Sequence, residues 1–247
     1  ACTLTASNGI PPNATQAFTL TVANAPSTTT LTSSLNPSVF GQAVTFTATV
    51  VPAPPGSGTP TGTVNFLDGA TNIGSGTLNG SGVATFATGT LSVATHPITA
   101  QYAGDVNFGP STSSIVNQVV NQASQTITFT STAPGGAAVG GTTYTGTATA
   151  SSGLTVALSI DASAASVCSL AGSTVSFTGV GNCVIDANQA GDANYTPAPQ
   201  VQQSFTVGKG SQTITFTSTA PANAAVGGST YTVTATASSG LTVALAI

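Results

Sequence analysis

Val44-Thr45-Phe46-Thr47-Ala48-Thr49-Val50 alternates strictly between apolar and threonine side chains. Successive residues of a β-strand point to opposite faces, so this period puts Val44, Phe46, Ala48 and Val50 on one face and the threonines on the other. Apolar, β-branched and aromatic residues suit such a half-buried pleated surface. The same alternation runs through Thr126 to Thr130, and Gly, Pro, Asn and Asp interrupt these runs at intervals of about eight to twelve residues. No stretch reads convincingly as helix. Many short strands with regular turn signals predict an all-β chain built as a sandwich or a barrel.

A long repeat selects between them. Residues 125–160 return as residues 212–247, with 31 of 36 positions identical and an offset of 212 − 125 = 87. A fixed period means one folding unit copied along the chain, and about 90 residues per copy favours tandem immunoglobulin-like β-sandwiches of about seven strands each. In the first module strands are expected near 28–34, 42–51, 61–67, 71–78, 82–88, 96–102 and 113–121, with residues 52–60 as a proline-rich tip. Four pieces follow. Residues 1–26 are the C-terminal fragment of one module plus a linker, because Cys2, Gln16, Phe18 and Thr19 echo Cys183, Gln203, Phe205 and Thr206. Residues 27–122 and 123–207 are complete modules, and 208–247 are a linker with the N-terminal part of a further one. Short connectors predict an elongated, semi-rigid array, loosened at Gly208 and Gly210. A half-sandwich exposes an apolar face and an unpaired edge, so each end piece needs either the rest of its module in a longer array or complementary strands from a neighbouring chain.

Charged residues make up only 2% of the chain, where about 25% is usual. They are Asp68, Asp105, Asp161, Asp186, Asp192 and Lys209. A single cation cannot replace the counterions of a nucleic acid or dock on anionic lipid, and no apolar run of about 18 residues is present to span a membrane. Nucleic acid and membrane insertion are therefore excluded as partners of this segment. An enzyme is not expected, because these residues assemble no paired carboxylates, metal cluster or phosphate loop. No cofactor is implied.

Asn36-Pro37-Ser38-Val39-Phe40-Gly41-Gln42, Pro60-Thr61-Gly62-Thr63-Val64 and Tyr102-Ala103-Gly104-Asp105-Val106-Asn107-Phe108 resemble the bacterial Ig-like repeats of large surface proteins. The second module, with its Gln-Thr-Ile-Thr-Phe opening and two cysteines, is similar to a sister class. The resemblance implies an extracellular or cell-surface setting in which such repeats serve as stalks, adhesive arrays or assembly modules. In that oxidising setting Cys168 and Cys183, which bracket a predicted hairpin turning at Gly172 and Ser173, would pair; the alternative is two free buried thiols. Cys2 has no partner in the sequence at hand, and a crosslink between chains is its lesser alternative.

Ala-Gly-Asp-x-Asn-aromatic occurs at 103–108 and 190–195. Asp105, Asn107, Asp192 and Asn194 could be read as calcium ligands, but calcium takes six to eight oxygens and each motif offers one acid. A turn is the favoured reading, with Gly104 or Gly191 supplying the unusual dihedral and the aromatic sealing the module end. His96 reads as structural. Lysine-asparagine crosslinks have no lysine outside the linker residue Lys209, and Asn13, Asn79 and Asn194 match the glycosylation pattern only weakly. The uncharged exterior leaves self-association into a fibre, filament or surface layer as the leading functional expectation. A stalk or adhesin region recognising a glycan or a host protein is the rival.

Overall fold

A computed structural model describes residues 2–19 and 21–247, with Cys2 and Phe18 described by their backbone alone. It divides into two compact units, Ala1–Ala123 with Asp192–Thr196, and Ser124–Gly191 with Pro197–Ile247.

The first unit begins with an antiparallel hairpin of β1 (Cys2–Ala6) and β2 (Ala14–Phe18). A sandwich follows, made from β3 (Ser27–Ser33), β4 (Ser38–Val39), β5 (Val44–Pro52), β6 (Thr63–Asp68), β7 (Thr71–Thr77), β8 (Val83–Thr88), β9 (Thr95–Tyr102), β10 (Ser111–Thr112) and β11 (Val116–Asn121). One sheet has the order β3-β5-β8; the other runs β4-β11-β9-β6-β7, with β10 on β9. The seven long strands begin and end within three residues of the sequence expectations. The two-residue strands β4 and β10 are additions that alternation could not reveal.

The Val44–Val50 pattern works as read. Val44, Phe46, Ala48 and Val50 are buried while the threonines between them are half-exposed. They meet Val64, Phe66, Ile98, Ala100 and Tyr102 from the facing sheet in one core. Phe66 stacks on Phe86 with ring centroids 5.6 Å apart. The Phe86 ring lies against the backbone of Gly74, where a Cβ would stand 2.1 Å from a ring carbon, and a Cβ on Gly76 would stand 2.6 Å from the Thr85 carbonyl oxygen. Glycine in β7 therefore permits the close approach of β8. Gly74→Val should displace Phe86 and cost about 1–3 kcal/mol of overpacking, read as a lower urea midpoint for the first sandwich.

The second unit contains β12 (Ile127–Phe129), β13 (Ala137–Ala138), β14 (Tyr144–Thr145), β15 (Ala148–Ala150), β16 (Ala157–Ile160), a 3-10 turn at Ala162–Ala164, β17 (Cys168–Ala171), β18 (Thr174–Phe177), β19 (Gly181–Asn188) and β20 (Val201–Gly208). Asp161 caps the 3-10 turn by accepting from the Ser163 amide at 2.8 Å. The main sheet is β13-β20-β19-β16; β14-β18-β17 and β12-β15 form the others. The core gathers Val167, Val175, Phe177, Ile185, Phe205 and Val207. Last come β21 (Ile214–Phe216) and β22 (Ala235–Ala237), whose pairing Ile214↔Ala237 repeats Ile127↔Ala150 at the offset of 87. No helix among the described residues is long and apolar enough to cross a membrane.

Candidate functional site

Three places concentrate the polar chemistry. The first is the Ala-Gly-Asp-x-Asn-aromatic motif. Asp105 Oδ1 accepts from the amides of Asn107 and Phe108 at 2.7 and 2.8 Å, and Oδ2 accepts from the Thr61 amide and hydroxyl at 2.8 and 2.7 Å. Partial desolvation pushes this carboxyl up, but the bonds from Thr61, Asn107 and Phe108 outweigh it and hold it well below the usual carboxylate range. Asp192 repeats the turn, accepting from the Asn194 and Tyr195 amides at 2.8 and 2.9 Å.

Each turn also grips the chain that enters the module. Ala25 donates to the Asn107 carbonyl and accepts from the Gly109 amide, both at 2.8 Å, while the Asn24 side-chain amide donates to the Asp105 carbonyl at 2.9 Å. Ala123 donates to the Asn194 carbonyl and accepts from the Thr196 amide, both at 2.9 Å, and the Gln122 side-chain amide reaches the Asp192 carbonyl at 2.6 Å. This clamp was not read from the sequence. Its signal is short: an amide side chain followed by alanine, just ahead of each module's first strand. Within the first unit the Tyr195 ring meets Phe40 edge-on at 5.6 Å.

Gly104 has φ +90°, and a Cβ there would stand 2.7 Å from the Phe108 carbonyl oxygen. Gly104→Ala should therefore cost about 1–3 kcal/mol and loosen the grip on Ala25. Hydrogen exchange should report it as faster exchange at the Ala25 and Gly109 amides.

The second place is His96, buried with Nδ1 2.6 Å from Asp68 Oδ2 and Nε2 2.9 Å from the Ser92 carbonyl. Burial pushes the imidazole pKa down, but the Ser92 carbonyl and the Asp68 carboxylate, both acceptors, raise it overall above 6.5. A raised folded value means that this contribution to stability is fully present below the unfolded pKa and lost as pH rises through the folded one. Thermal melts of the first sandwich should therefore fall as pH rises above about 6.5 and through the raised folded value, and His96→Gln should flatten the slope. Both ring nitrogens are thus engaged by oxygen acceptors of the same sandwich.

The third is Cys168–Cys183, bonded with Sγ–Sγ 2.01 Å and Cα–Cα 5.8 Å. It joins β17 in one sheet to β19 in another. The side chain of Cys2, expected to be unpaired, lies outside the described residues. Asn79 Oδ1 accepts from the Ser81 and Val83 amides in the β7–β8 turn, Asn13 immediately precedes β2, and Lys209 is exposed just after β20.

The order β3-β5-β8 against β4-β11-β9-β6-β7 is that of an immunoglobulin-like sandwich. Residues 31–121 match the family model of the bacterial Ig-like domain, group 3. The match runs from inside β3 to the end of β11, so the Ig-like resemblance stands over the first sandwich. No curated protein matches the sequence. Among solved structures, the fibronectin(III)-like modules of Clostridium thermocellum CbhA are 20% identical, with 73% of this chain and 94% of that one covered and a TM-score of 0.31. The Escherichia coli adhesin FdeC is 17% identical over 76% of this chain and 67% of its own, TM-score 0.27. A 282-residue intimin fragment in complex with its translocated receptor's binding domain is 14% identical, with 76% of this chain and 65% of that one covered, TM-score 0.27. Likeness at this level is one of fold alone.

Proposed function

We propose that this Ig-like segment is non-catalytic building material of a large bacterial extracellular or cell-surface protein, whose modules associate with copies of themselves into a fibre, filament or surface layer. The observation that carries the reading is where the few charges go. Asp68 holds His96, Asp105 and Asp192 hold their turns, Asp161 holds Ser163, and Asp186 accepts from Gln202 at 2.8 Å. All five acids are thus engaged with neighbours inside the protein, and Lys209 lies in a connector. The sheet-edge strands β3, β4, β7 and β8 of the first sandwich, and β12, β13, β14, β15, β16 and β17 of the second, carry no charged residue at all.

Exposed edges present unpaired amides and carbonyls, and charged side chains, lysine above all, are the common means of keeping other strands off them. Here the edges and the outer threonine rows lack that means, and a net charge of −4 repels copies only weakly. The disulfide supports an oxidising, extracellular setting. The adhesin rival has less to stand on in the two sandwiches: a sugar platform needs exposed aromatics, yet Tyr102 and Tyr144 are spent in cores and Tyr195 packs edge-on against Phe40, which leaves exposed aromatics, among the described residues, only at Phe216 and Tyr231.

Sedimentation velocity across a concentration series tests the reading. Association that grows with concentration and is nearly unchanged between low and molar salt is expected, because uncharged contacts are not screened. A particle of one chain mass at every concentration overturns it.

A further inference from the structure

The two sheets of the first sandwich turn chemically different faces outward. With Val44, Phe46, Ala48 and Val50 facing the core, the strand register sets Thr30, Thr49 and Val83 in one row across the outside of β3-β5-β8 and Thr32, Thr47 and Thr85 in the next. The rows on either side add only Thr, Val and Ala. Every side chain of this face therefore carries a methyl group, and none carries a charge. Thr30 and Thr32 turn their hydroxyls onto the Thr49 and Thr47 carbonyls of the neighbouring strand, at 3.4 and 3.5 Å. The outside of β4-β11-β9-β6-β7 instead carries the amides of Asn65, Gln101 and Asn117. Amides hold their water, whereas methyls, and hydroxyls already bonded within the sheet, give it up at less cost.

The second sandwich repeats the arrangement. Thr128 of β12 stands opposite Thr149 of β15, both exposed, and the Thr130 and Thr147 hydroxyls bond each other at 2.8 Å. Thr145 and Thr174, paired across β14 and β18, are exposed as well. Each sandwich thus presents one uncharged threonine face, and neither face includes any residue of 2–18 or 212–247.

We infer that the outer face of β3-β5-β8 mates with the same face of a second copy, and that the threonine face of β12-β15 does likewise. The partner is another copy of this chain because the face holds no charge, aromatic ring or side-chain amide that would select a different surface. It is instead its own complement: a two-fold axis through Thr47 lays the row Thr32-Thr47-Thr85 on itself, methyl against methyl. Twisted sheets pack in this way about 10 Å apart with strands crossing at about −30°. Strands about 4.8 Å apart and about seven residues long at 3.4 Å each give a face of roughly 350 Å², so a pair of faces buries about 700 Å². That is less than the ~1,200 Å² of a stable pair, so one contact is weak and assembly gathers strength from the number of faces joined. Each contact closes on itself, but a chain with two such faces joins two neighbours and propagates. This deepens the self-association reading above and rests on it.

The test uses the whole 247-residue protein with Cys2→Ser, so that crosslinks through that thiol cannot contribute. Thr47→Lys charges the centre of the first face and Thr149→Lys the second, both at outward positions of their strands. Analytical ultracentrifugation at high concentration and low salt should find open oligomers for the parent, particles of at most two chains for either variant, and single chains for the double variant. Gln101→Lys, on the amide-bearing face, should associate as the parent does. An equal mixture of Thr47→Lys with Thr47→Glu, both carrying Thr149→Lys, should recover two-chain particles, because opposite charges then meet across the two-fold axis; recovery also shows that the variants are folded. A double variant that assembles as the parent does, a Gln101→Lys protein that dissociates as fully as the double variant, or a mixture that stays at one chain overturns the assignment of these faces while leaving self-association through other surfaces standing. A parent that remains one chain at all concentrations overturns both.

Discussion

Replacing Cys168 and Cys183 together with alanine should lower the stability of the second sandwich by about 3 kcal/mol, the loop-closure value for a bond spanning about 15 residues. The bond lies inside the core, with both cysteines almost wholly buried, and it ties strands of two different sheets. Without it β17 keeps its backbone pairing to β18, its packing beside β16 and the contact of Leu170 with the core, a short hairpin that is marginal by itself. For a module of this size the loss should appear in calorimetry as a fall in Tm of roughly 10–20 °C. Reductant should reproduce most of the fall in the parent protein and add nothing to the double variant. An unchanged transition would mean that the sheets are held together by packing alone.

Phe66→Ala should be among the most damaging single truncations in the first sandwich, at about 3–5 kcal/mol. Phe66 has no exposed surface, lies in the sheet facing β5, and stacks on Phe86, which itself covers Gly74. Removing the ring leaves a cavity that neighbours on two sheets must share, and the backbone contacts of Gly74 and Gly76 with β8 limit how far the sheets can close over it. Urea unfolding should show a lower midpoint for the first sandwich with little change in slope. Phe66→Leu, which keeps most of the volume, should recover more than half of the loss.

These two effects mark what could and could not be read from the amino acids. Alternation gave the long strands, because burial on one face leaves a period of two that survives in any single strand such as Val44–Val50. The repeat was legible too, since a copied stretch is visible without knowledge of contacts. The turn at Gly104 and Asp105 was legible because positive φ and side-chain capping are local requirements. Its second role, gripping Asn24 and Ala25, was not, since the two segments are about eighty residues apart and neither carries a pattern that names the other. The same holds for Asp68 beside His96 and for Gly74 under Phe86: the register between strands, set by the whole fold, brings them together. The short strands β4 and β10 are invisible for a simpler reason, as two residues have no period.

The charge accounting is the point at which sequence and structure reinforce each other most. Composition alone shows that few charges exist. The structure adds that the acids present are turned to internal tasks, which leaves the strand edges uncharged and the threonine rows outward. Electron microscopy of the concentrated protein tests the resulting account most directly. Ordered filaments or sheets, with modules touching through threonine-rich faces, are the predicted result; a field of separate particles whose outer faces meet nothing would contradict it.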